Sequence, residues 1–249
     1  MNHYSIIIIA LSALLIILWL WESRIFLILW YRMVFLRTKN PPFIQHYSDT
    51  IFPQSRVLEY YWTSIRDEFI AQQKQLSIPK FHEIDQRQSK ISMSDGPAWR
   101  TVLLKAHGAW FEDNCKRFPL THALLAQCPN VSTALISILE PGTKIPAHTG
   151  KFKGVLRYQL ALQVPKEGDC FLRVHDQFYR WQAGKGVLFD DVYEHEVQNN
   201  SDEYRVVLFL DVQRPMPFIL KWPDRLVHII SSYSPKYLEA RRAGRLVGD

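Results

Sequence analysis

From Ser5 to Trp21 the chain reads SIIIIALSALLIILWLW, 17 residues without a charge. A run with no polar face predicts a helix that is surrounded by apolar material on every side, at the short end of what a bilayer requires. Trp19 and Trp21 close it, where amphipathic rings collect at a membrane interface. A second apolar run follows from Ile25 to Leu36, punctuated by Arg32. The expectation is an N-terminal transmembrane helix that continues along the membrane surface. No Lys or Arg precedes Ser5 and no A-x-A step follows the run, which argues against a cleaved signal peptide. RTKNPPF then breaks the helical pattern. Two units are expected: a membrane anchor with its juxtamembrane segment over 1–40, and one domain over 41–249.

Beyond that break the period changes. Residues 57–75 carry apolar side chains at helical spacing and predict one packed helix, and LTHALLAQC predicts a shorter one. AWRTVLLKA reads as a strand. From residue 132 onward strand patterns dominate: STALISIL, GVLRYQLALQV, CFLRV, YRWQA, GVLFD, HEVQN and YRVVLFLDV, divided by Pro, Gly and Asn turns. Successive short strands without intervening helices predict an all-β sandwich or barrel rather than βαβ units.

Charge changes the picture through its location. The net charge is +6, but residues 1–40 hold +3 of it and residues 235–249 hold +2, which leaves +1 for the long middle. A nucleic-acid binder keeps a basic stripe on its folded domain, so nucleic acid is not an expected partner. Arg24, Arg32, Arg37 and Lys39 follow the apolar run and none precedes it, which orients the large C-terminal part to the cytoplasm. Cys115, Cys128 and Cys170 are too few and too far apart for a disulfide framework or a zinc site. A reducing compartment is the simpler reading.

Candidate chemistry lies in the β-rich half. His148 stands in IPAHTG, ahead of GVLRYQLAL, and His195 stands 47 positions later in FDDVYEHEV. Imidazole is a borderline ligand that suits iron, copper or zinc, so two histidines at strand mouths can share a metal. Arg205 follows His195 by ten positions, inside RVVLFLDV, and Arg157 follows His148 by nine, inside VLRYQLAL. An arginine in an apolar strand is either exposed on one sheet face or paired, and a carboxylate is its natural bidentate partner. Two arginines beside two histidines describe a metal site that also captures an anion.

PGTKIPAHTG, LRYQLAL, the stretch from Trp181 that reads W-x-x-G-K-G-V-L-F-D-D-V-Y-E-H-E-V, and YRVVLFLDVQRP, taken in order, resemble the aspartyl/asparaginyl β-hydroxylase family of Fe(II)- and 2-oxoglutarate-dependent dioxygenases. The resemblance covers Trp99 to Pro215. It implies a double-stranded β-helix, or jelly roll, with flanking helices. It implies that His148 and His195 hold Fe(II) and that Arg205 clamps the distal carboxylate of 2-oxoglutarate. Ser137 and Arg157 would help to hold that cosubstrate. Gln159 stands where the animal enzymes place a histidine. It can donate a hydrogen bond but carries no charge. With dioxygen, such a centre hydroxylates an unactivated C–H bond.

The third ligand of the usual two-histidine, one-carboxylate triad would stand two positions after His148, and that position is Gly150. The animal peptide hydroxylases also lack the acid, whereas the bacterial lipid A 2-hydroxylases tend to keep an aspartate. The anchor and the endings of the strands lean toward the lipid branch. The leading expectation is therefore hydroxylation of a lipid A acyl chain or a related membrane lipid, at the inner (cytoplasmic) membrane. Peptidyl aspartyl/asparaginyl β-hydroxylation is the alternative, with a protein substrate. Two further expectations follow: Gly150→Asp leaves an iron-binding site because it recreates the triad, and Asp190 and Asp191 fix the turn before His195 and its imidazole.

Overall fold

A computed structural model describes residues 3–22, 40–85, 89–92, 97–150, 152–216, 239 and 242–248. The chain divides into two units, Met1–Lys39 and Asn40–Asp249. The first contains the 20-residue helix His3–Glu22. Side chains are described only over 4–17 of it, and among the described residues no helix is long and apolar enough to cross a membrane. The second apolar run, Ile25–Leu36, lies outside the described residues, as does His228.

Twelve strands are described in the second unit: β1 Leu76–Ser77, β2 Trp99–Ala106, β3 Ala109–Trp110, β4 Val131–Leu139, β5 Lys144–His148, β6 Val155–Gln163, β7 Asp169–Val174, β8 Gln177–Tyr179, β9 Gly186–Phe189, β10 His195–Asn200, β11 Arg205–Gln213 and β12 Val247–Gly248. They form a large sheet in the order β3-β2-β4-β11-β6-β9, a small sheet in the order β5-β10-β7-β8, and the pair β1-β12. From β4 to β11 the pairing is nested. The first strand pairs with the last, β5 with β10, β6 with β9 and β7 with β8, all antiparallel. A ribbon folded on itself in this way and wrapped into two facing sheets is a jelly roll.

The two-residue period of a strand sorts the side chains. Along β6 and β11, Leu156, Tyr158, Leu160, Val206, Leu208 and Leu210 face outward. There they meet Phe52, Leu58, Ile65 and Phe69 from the helices Ser55–Tyr60 and Trp62–Gln73 and the segment before them. Ala161, Val207, Phe209 and Phe189 face inward onto Leu172, Val174 and Val197 of the small sheet. The same alternation puts Arg157, Gln159, Arg205 and Asp211 on the inner face, and Ser137 joins them between Leu135 and Leu139 of β4.

Three elements differ from expectation. The helix expected over 57–75 is two helices, because Tyr61 leaves helical geometry at φ −91° and ψ 14°. YRWQA contributes only Tyr179 to a strand. KIPAH forms β5, which no apolar pattern announced. Pro146 lacks an N–H, but β5 is an edge strand with a single neighbour and tolerates it.

Candidate active site

The register of β5 on β10 sets His195 directly opposite His148, with ring centroids 4.2 Å apart and planes at 51°. Nδ1 of His148 lies 2.8 Å from the carbonyl of Pro146, and Nδ1 of His195 lies 2.9 Å from that of Tyr193. A carbonyl only accepts, so each Nδ1 carries the hydrogen and each neutral ring keeps its lone pair on Nε2. Burial and the neighbouring His148 pull the His195 imidazole down to about 3. Burial also lowers His148, and the nearby Arg157 disfavours protonation of both rings. Both are therefore neutral near pH 7, which is the form that binds metal. Among the described residues no group of three His, Cys, Asp or Glu side chains gathers here or elsewhere to hold a metal ion.

Asp191 explains why the acid is missing at Gly150. A Cβ built on Gly150 would lie 2.0 Å from Oδ2 of Asp191 and 2.3 Å from its Cγ. The place from which a third carboxylate would start is already filled by another, so Gly150→Asp does not recreate a triad without displacing Asp191. Completion of a triad is therefore not a ground for expecting this substitution to keep an iron-binding site. Asp191 is 1% exposed. Its Oδ2 accepts from Nε of Arg157 at 2.9 Å, and its Oδ1 is buried without a hydrogen-bond partner. Burial pushes its carboxyl up against the pull of Arg157. Asp190 is held by Nη1 and Nη2 of Arg214, each at 2.6 Å. Asp190 Oδ1 accepts from the N–H of Val192 at 3.3 Å and so fixes the turn, as expected, but neither aspartate bonds the imidazole of His195, contrary to expectation. The Tyr193 carbonyl does, and a backbone atom has no signature in the residue pattern.

Arg205 is the largest fully buried side chain, 1% exposed. Its Nη1 donates to Oγ of Ser137 at 3.4 Å, its guanidinium carbon lies 4.7 Å above the ring of Trp181, and its Nε has no partner. No carboxylate pairs with it among the described residues. Burial lowers it to about 10, so it remains charged at neutral pH. Cys170 also lies against it, but burial pushes that thiol up and keeps it neutral at pH 7; a buried guanidinium without a carboxylate is costly unless an anion arrives. Ser137 Oγ also accepts from Nε1 of Trp99 at 2.9 Å, which leaves the serine hydrogen free to be donated. Oε1 of Gln159 accepts from Nε1 of Trp181 at 3.1 Å. Arg157 is ion-paired with Asp191 at 2.9 Å and Asp211 at 3.3 Å and stacks on Phe209.

All six nominated side chains thus lie on the inner surfaces or rims of the two sheets: His148 and His195 on the small one, Ser137, Arg157, Gln159 and Arg205 on the large one. Phe189 of the large sheet touches His195, with centroids 5.6 Å apart. Sequence reasoning did not single out Trp181, which touches both Arg205 and Gln159. Its only signal was its place at the head of W-x-x-G-K-G. The remaining described histidines are elsewhere: His122 packs on Trp110 and His175 pairs with Asp176. All three cysteines are free thiols.

Residues 59–215 match the family model described as aspartyl/asparaginyl β-hydroxylase. An ornithine lipid ester-linked acyl 2-hydroxylase of Rhizobium tropici is 39% identical over 191 residues, which cover 76% of this chain and 65% of that protein. An aspartyl/asparaginyl β-hydroxylase of Homo sapiens is 32% identical over 166 residues, 64% of this chain and 21% of the human protein. The chain therefore spans just under two thirds of the first relative and about a fifth of the second. Among solved structures, an oxidoreductase of the 2OG-Fe(II) oxygenase family from Burkholderia pseudomallei covers 50% of this chain and 71% of its own at 10% identity, with a TM-score of 0.38. At that score the fold rests on the strand order above.

Proposed function

The chain belongs to the aspartyl/asparaginyl β-hydroxylase family, and from that membership we propose that it is an Fe(II)- and 2-oxoglutarate-dependent hydroxylase of a membrane-lipid acyl chain. The observation that carries the cosubstrate reading is Arg205, a buried cation without a counter-charge on the wall that faces two metal-ready histidines. The residues fit the groups implied. His148 and His195 would hold the iron through their Nε2 atoms. Arg205 and the hydroxyl of Ser137 would receive the distal carboxylate of 2-oxoglutarate, with Gln159 and Arg157 helping to hold the rest. When bound, iron with 2-oxoglutarate and dioxygen supplies the oxidising power that exchanges a C–H for a C–OH. The protein orients the reactants and excludes water, and the apolar inner side chains Leu172, Val174, Phe189 and Val207 serve the second task.

Two observations support a lipid substrate. The relative that shares 39% identity is named for acyl 2-hydroxylation of ornithine lipid. The apolar run Ser5–Trp21 with its basic flank would hold the domain on the cytoplasmic side of the inner membrane. Ornithine-lipid and lipid A acyl chains are both within this class. Gly150 and the human relative favour a second reading, peptidyl Asp/Asn hydroxylation. Mass spectrometry of the lipids and proteins of cells with and without the gene separates them. The lipid reading expects an acyl chain one oxygen heavier only where the gene is expressed. Unchanged lipids with a hydroxylated Asp or Asn would establish the second reading, and no change in either would overturn both.

A further inference from the structure

We propose that Trp181 is the positioning residue of the anion pocket: by stacking on Arg205 and donating to Gln159 it fixes which atoms both side chains present to 2-oxoglutarate. The inference rests on the cosubstrate reading above. Trp181 lies in the irregular segment between β8 and β9, 7% exposed, with Tyr179 edge-on at 6.2 Å. The segment is pinned to β6, since Gly184 N donates to Ala161 O at 2.8 Å and Ala161 N donates to Lys185 O at 3.1 Å. The turn needs Gly184, which has φ +78° and whose missing Cβ would lie 2.6 Å from Trp62. The indole is therefore a fixed surface rather than a mobile one.

Its two contacts act on two different donors. A guanidinium that lies face-down on an indole keeps its N–H groups in the plane, directed sideways, and Nε is one that no protein atom uses. The second contact is decided by chemistry. The oxygen and nitrogen of a glutamine amide are otherwise interchangeable in position. An indole N–H can only donate, so the atom of Gln159 that meets it at 3.1 Å must be Oε1. The NH₂ group is then the end left over, and no described residue accepts from it. Arg205, the Ser137 hydroxyl and the Gln159 amide can then all donate to a carboxylate. Released from Trp181, Gln159 could turn its oxygen inward and repel a carboxylate.

The test is calorimetric titration of 2-oxoglutarate into the 249-residue chain with Mn(II) and without oxygen, so that binding is read without turnover. Trp181→Phe keeps a ring beneath Arg205 and loses the N–H. It should weaken binding about 5–10-fold, the value of one hydrogen bond. In a Gln159→Leu background the same change should cost less than about 2-fold, because no amide remains to be oriented. Gln159→Glu, which turns an acceptor-only oxygen inward, should bind much more weakly than Gln159→Leu. Wild-type affinity in Trp181→Phe, or an equal loss in both backgrounds, would overturn the inference while leaving the cosubstrate reading intact. If Trp181→Phe does not fold, Gln159→Glu decides alone: binding as tight as that of Gln159→Leu overturns it. A wild-type chain that binds no 2-oxoglutarate overturns the cosubstrate reading and this inference with it.

Discussion

At Gly150 the backbone φ is ordinary, so the demand for glycine is purely one of space, and the space belongs to Asp191. Gly150→Ala should therefore overpack the site and lower the melting temperature by roughly 3–10 °C, the range expected for one misplaced methyl group. Measured against Asp191→Gly as the reference, the same methyl should cost less than half as much. An equal cost in both backgrounds would show that the clash lies elsewhere. The histidines and Arg205 were legible because such side chains are rare beside apolar strands and must be accounted for. The partners of the two aspartates were not. Asp191 meets Arg157, 34 positions away, and Asp190 meets Arg214, 24 positions away. Strand register sets both pairings, and no local pattern encodes it.

Among elements, the nine-residue strands β4, β6 and β11 announced themselves by their mostly apolar composition, whereas β5 carried a proline and an exposed flank. The segment that looked like a linker proved equally informative. Tyr193 Oη donates to Asn40 O at 2.8 Å, Asp190 N to Pro42 O at 3.0 Å and Ile44 N to Leu188 O at 2.9 Å. Phe43 bridges to Phe189 and packs on Tyr179. Residues 40–44 thus splint β9 and the turn that delivers His195, so the expected boundary at residue 40 falls immediately before a structural part. A chain lacking residues 1–39 should melt within about 2 °C of the intact second unit's transition. A chain lacking 1–44 loses three hydrogen bonds and a half-buried ring, about 3–5 kcal/mol, and should melt on the order of 10 °C lower. Equal melting temperatures would mean that the splint does not stabilise the turn.

For the whole molecule, the fold class was legible because a jelly roll is built from many short strands in succession, and their nested pairing follows once the ribbon closes on itself. The expected membrane anchor is a different matter. It rests on the apolar run alone, since a span is defined by its surroundings and not by contacts within the chain. One feature of the inner face reaches further. Arg157 takes both Asp191 and Asp211 there, Arg205 has no carboxylate of its own, and both histidines are neutral. Summed over the inner face, two guanidinium groups and two carboxylates leave no net charge. A divalent cation alone leaves it two charges positive, a dicarboxylate alone two charges negative, and the pair cancels. Each ligand is the other's counter-ion, so the two affinities are thermodynamically linked, by about tenfold if the coupling is typical. 2-Oxoglutarate should bind more tightly with Mn(II) than to EDTA-treated protein, and identical affinities would deny the linkage. Where each ligand alone would fill about a quarter of the molecules, coupling of that size leaves empty and fully loaded molecules together about threefold more numerous than half-filled ones.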